Sequence, residues 1–103
     1  MTKRRLPPND RKYQILTAAL AVAARPGGWS KLTRDAVARE AQCADGLVSK
    51  YFGTMTQMRR TVMRSAVLTE NLAIVAQGLA TGDPHAQKAD ESLKRKALET
   101  LAG

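Results

Sequence analysis

Residues 37–52, VAREAQCADGLVSKYF, restrict the fold more than any other stretch. Val37, Ala38 and Ala41 recur at helical spacing, Gln42–Cys43–Ala44 interrupt them, and Val48 and Phe52 resume four residues apart. Apolar positions three or four apart share one face of an α-helix, whereas a half-buried strand needs strict alternation. The stretch therefore reads as two short helices, Arg34 to Ala41 and Asp45 to Phe52, joined by a short turn. Helices this short are marginal in isolation, so the pair must be held by further helices.

The rest of the chain supplies them. Asn9 is placed to cap a first helix over Asp10–Ala24, whose apolar face carries Ile15, Leu16, Ala19, Leu20, Val22 and Ala23. Arg25–Pro26–Gly27–Gly28 ends it, and Trp29 falls in the connection as a plug over the core. Thr33 is the cap of the next helix, with Asp35 near its positive end. Thr54-Met-Thr-Gln57 matches a capping box. From there the spacing predicts one long fourth helix to about Gln77, with apolar residues on two sides, ended by Gly78 to Gly82. Asp83 and Pro84 then open a last helix with a thin stripe of Ala86, Ala89, Leu93, Ala97 and Leu101. The expected fold is all-α: a three-helix helix-turn-helix head, a long fourth helix and a short C-terminal helix. The domains read as a basic arm over 1–9, a head over 10–53 and a dimerisation tail over 54–103.

Charge narrows the function. The net charge is +8, and residues 1–64 hold 13 Lys/Arg against 4 Asp/Glu, whereas residues 65–103 hold 4 against 5. A basic excess confined to one part of a chain points to an anionic partner, nucleic acid first. One cysteine, Cys43, excludes an intrachain disulfide. A single histidine, His85, far in sequence from Cys43, gives metal or nucleophilic catalysis little to build on, so neither an enzyme nor a cofactor is expected. Without a secretory core or an apolar run near the ~18 residues of a membrane span, the expected location is the cytoplasm.

In a helix-turn-helix the second helix enters the DNA major groove with its N-terminal residues leading. Residues 15–58, ILTAALAVAARPGGWSKLTRDAVAREAQCADGLVSKYFGTMTQM, go further than the bare pattern. They resemble the DNA-binding domain of the tetracycline-repressor (TetR) family in the ILTAALAVAA helix, the Thr33 cap, VAREA, Gly46 early in the recognition helix and YF before a capped fourth helix. The resemblance spans about residues 10–66. It departs from the family at Gln42, usually glycine, at Ala44, usually Ser or Thr, at Ser49, often tyrosine, and at Met55, often a phosphate-binding lysine. Family members also carry a long ligand-binding domain, while only 39 residues follow Arg64 here, so no small-molecule inducer is expected.

These readings assign roles. Phosphate contacts fall to Lys3, Arg4, Arg5, Thr33, Arg34, Lys50 and Tyr51. Base reading falls to Asp45, Leu47, Ser49 and Lys50, with Gly46 letting the helix backbone come close. The plainer alternatives are helix capping for Asp45, core packing for Leu47, solvation for Lys50 and a core edge for Tyr51. Solvation is the expected fate of Arg59, Arg60 and Arg64, and Cys43 reads as a small buried hydrophobe. The resulting expectation is a homodimer, associating through 54–101, that represses transcription at an inverted-repeat operator. The alternatives are a phage or plasmid accessory factor for replication, partition or packaging, and a protein-interaction module that binds no DNA.

Overall fold

The computed structural model describes residues 8–102. The described residues form seven helices and no strand: α1 (Pro8–Ala24), α2 (Arg34–Ala41), α3 (Asp45–Phe52), α4 (Met55–Leu68), α5 (Leu72–Thr81), α6 (Pro84–Gln87) and α7 (Glu91–Ala102). None of them is long and apolar enough to cross a membrane. Lys3, Arg4 and Arg5 lie outside the described residues.

Start signals act where local chemistry is strongest. The Thr33 side chain accepts a hydrogen bond from the Ala36 N–H at 3.1 Å, which sets the start of α2. Thr54 accepts from the Gln57 N–H at 3.2 Å, while the Thr54 N–H donates to Gln57 Oε1 at 2.8 Å, completing the capping box of α4. The α1 helix begins at Pro8, ahead of Asn9, whose side chain is not among those described. Proline at the first helical position needs no N–H partner, which lets Pro8 open the helix.

The long fourth helix is two helices. α4 ends at Leu68 in a Schellman motif: the Asn71 N–H donates to Ala66 O at 2.8 Å and the Glu70 N–H to Val67 O at 3.3 Å. Glu70 takes the left-handed conformation, φ 54°, and Asn71 caps α5 by accepting from the Ile74 N–H. Gly78, expected as a breaker, lies inside α5 instead. A Cβ there would fall 2.3 Å from Met63 Cε and 2.9 Å from Ala86 Cβ, so its bareness serves the close approach of α4 and α6. The break itself is at Gly82, φ 77°. Asp83 does cap the next helix, but α6 stops at Gln87, and Asp90 accepts from the Ser92 N–H at 3.0 Å as α7 begins.

One core joins these elements. Ile15, Ala19, Ala23, Val37, Val48, Met58, Val62, Met63, Ile74, Val75, Ala86 and Ala97 are all buried in it. α1 packs on α2, α4 and α5, α3 rests on α2 and α4, and α7 docks on α5. Trp29 is buried, as the plug reading requires. Its backbone N–H donates to Gln77 Oε1 at 2.8 Å, and Gln77 Nε2 donates to Ala23 O at 2.7 Å, tying α5 to the 25–33 loop. Arg59 is not a solvated side chain. Its guanidinium donates to Trp29 O at 2.7 Å and Leu32 O at 3.0 Å and lies 5.0 Å from the Trp29 ring centroid.

Candidate nucleic-acid interface

α2 and α3 are separated by Gln42–Ala44 alone. A second Schellman motif makes this turn, with the Cys43 N–H on Ala38 O at 3.0 Å and the Gln42 N–H on Arg39 O at 3.2 Å. Gln42 is left-handed, φ 56° and ψ 48°. Ala44 has no side-chain oxygen to cap α3, so the orphan N–H groups of its first turn find no side-chain cap there. Val48 and Phe52 face the core and anchor the helix. Asp45, Gly46 and Lys50 are exposed on the outside.

The remaining candidates are graded by burial. Leu47, Ser49 and Tyr51 are half-buried, and Leu47 and Tyr51 pack against the core edge. Lys50 Nζ lies 5.8 Å from the Tyr51 ring centroid, so the pair forms one basic and aromatic surface. Thr33 is exposed, and its oxygen is engaged in the cap of α2. Arg34 is half-buried at the start of α2, and its Nε has no hydrogen-bond partner. Asp45, Gly46 and Lys50 of α3 thus share an exposed surface, with Thr33 and Arg34 at the start of the adjoining α2.

The beginning of α1 adds residues that sequence reasoning did not single out. Burial pushes the thiol of the half-buried Cys43 above its ordinary value; the Arg11 charge opposes this and the Asp45 charge adds to it. Lys12 Nζ sits 5.8 Å from the Phe52 ring centroid. The only sequence signal for either residue is membership of the basic N-terminal two thirds, because their partners lie more than thirty positions away.

Charge pairing leaves much of this part uncompensated. Arg25 pairs with Glu40 and Arg39 with Asp35. Among the described residues, Lys12, Lys31, Arg34, Lys50, Arg60 and Arg64 form no ion pair. Comparison with protein-family models, with curated proteins and with solved structures finds no significant match to this chain.

Proposed function

We propose that the protein binds duplex DNA with sequence preference, using α2 and α3 as a helix-turn-helix whose second helix enters the major groove. In this reading it is a dimeric transcriptional repressor. The observation that carries the reading is Gly46. It lies in the first turn of α3 on the exposed side, and a Cβ added there would meet nothing within 4 Å. Glycine inside a helix costs roughly 0.5–1 kcal/mol relative to alanine, and nothing within the chain asks for it. A bare backbone at that point serves the approach of something outside the chain. Lys50, exposed one helical turn further on, can donate to guanine edges, and Asp45 can accept from a cytosine amino group. Lys3, Arg4, Arg5, Thr33, Arg34 and Tyr51 are assigned to phosphate, and Leu47 and Ser49 to the rim of the base contact.

Association into a two-fold dimer would set two such helices about 34 Å apart on an inverted repeat. It is supported by apolar side chains left exposed in the second half of the chain: Leu68 at 79%, Leu98 at 50% and Leu101 at 52%. Light scattering should return twice the 11.2 kDa chain mass.

The test is selection of bound fragments from random duplex DNA, with Gly46→Ala and Lys50→Ala alongside the native chain. Gly46→Ala should fold at least as stably as the native chain yet bind the selected site more weakly, which separates contact from folding. Lys50→Ala should lose the enriched motif. Recovery of every fragment alike, or a Gly46→Ala protein that binds as well as the native chain, would overturn the reading.

A further inference from the structure

Three cations that form no ion pair gather outside the α3 surface. Lys12 of α1 and Arg60 and Arg64 of α4 line one open groove, with residues 51–53 at the end of α3 and Gln57 of α4. Among the described residues no carboxylate lines it. Arg60 and Arg64 are four positions apart, hence on one helix face about 6 Å apart along the axis, a like-charge spacing that costs an isolated helix a few tenths of a kcal/mol. Both are exposed, and neither has an acidic partner among the described residues.

We infer that this groove is a clamp for the DNA phosphate backbone flanking the major groove that α3 reads. The inference rests on the DNA-binding proposal and adds to it a surface that no base contact requires. Continuity selects the occupant. Tyr51 lines the groove, and its ring carries Lys50 Nζ of the α3 surface at 5.8 Å. Phe52 lines it too, and its ring carries Lys12 Nζ at 5.8 Å. Lys50, Lys12, Arg60 and Arg64 thus lead from α3 onto its flank. A strand bearing one negative charge per ~3.4 Å of helix axis can meet such a spread of cations at several points, where a lone phosphate meets one or two. The contacts are to the backbone, so they hold and orient the protein while carrying no sequence information.

The experiment compares R60Q/R64Q with the native chain on the DNA site that the native chain selects, measuring affinity by fluorescence anisotropy between 50 and 200 mM salt. Two lost phosphate contacts should make the log–log salt dependence shallower by about 1.8, so that the native chain loses about 12-fold more affinity over that range than the variant. The selected motif should be unchanged. R60K/R64K, which keeps both charges, should restore the native slope. K88Q/R95Q removes two exposed cations, unpaired among the described residues, from the C-terminal part of the chain and should leave the slope alone. A native slope in R60Q/R64Q overturns the clamp while DNA binding stands. An equal change in K88Q/R95Q also overturns it, because net charge alone would then be responsible. A native chain that selects no DNA overturns both proposals. Matching urea midpoints and helical circular dichroism across the variants exclude loss of fold as the cause.

Discussion

Gln42→Gly should stabilise the protein, although it removes a side chain and adds freedom to the unfolded chain. Gln42 closes α2 at φ 56° and ψ 48°, a left-handed conformation in which a Cβ crowds the following carbonyl. That crowding costs about 1–2 kcal/mol for a residue with a side chain and is absent for glycine. Against it stands the extra unfolded-state entropy of glycine, about 0.4–1 kcal/mol. The Gln42 side chain is exposed and makes no hydrogen bond among the described residues, so little else is lost. The balance is a gain of about 0.5–1 kcal/mol, or roughly 3–6 °C in Tm for a chain of this size. Gln42→Ala keeps the crowding and removes the same side chain, so it should lie within a few tenths of a kcal/mol of the native protein or below it. Urea unfolding followed by circular dichroism at 222 nm measures both. A glycine variant no more stable than the alanine variant would refute the argument, because the left-handed penalty would then be absent.

Arg59→Ala should destabilise the fold by about 2 kcal/mol, since two charge-assisted hydrogen bonds to Trp29 O and Leu32 O and the stacking on Trp29 vanish together. The fluorescence of Trp29, the only tryptophan, reports the change directly. Gly78→Ala should cost about 1 kcal/mol even though alanine is the better helix former, because its methyl collides with Met63 Cε and Ala86 Cβ in the core. Shortening Met63 to valine in the same chain should recover part of that loss, and a thermal melt of the two variants distinguishes the outcomes.

The parts of the fold that sequence described well are those governed by neighbours in the chain. Thr33, Thr54 and Asp83 each cap a helix through a hydrogen bond to a residue three positions on, and Val48 and Phe52 turn inward because both lie on one face of α3. The 54–77 segment misled because its break uses neither glycine nor proline: Glu70 enters the left-handed region, and only the bonds from Glu70 and Asn71 back to α4 reveal it. The early stop of α6 was hidden in the same way, since the Ala86–Leu93–Ala97 stripe stays in register across the interruption and all three residues are buried. Nothing near Arg59 in the chain marks it as bound, because its partners, Trp29 and Leu32, are about thirty positions away. For the candidate interface, residue types and spacing pointed to Asp45, Gly46 and Lys50, which are exposed. They said nothing of the groove, whose cations come from helices that meet only after folding.

Gln77 has a consequence for how the chain can be divided. Its amide carbonyl receives the Trp29 N–H, and its amide nitrogen reaches Ala23 O, Arg25 O at 3.2 Å and Ala73 O at 3.2 Å. One side chain from α5 thus acts as the missing rung for a loop that begins fifty residues earlier and runs into α2. A fragment cut after α4 would keep every residue proposed for DNA, and the Arg59 contacts to Trp29, yet lose the Gln77 bonds to the Trp29 N–H and to the end of α1. α2 and the C-terminal half are in this sense one mechanical part: Gln77 of α5 holds the loop from which α2 starts, and α7 docks on α5.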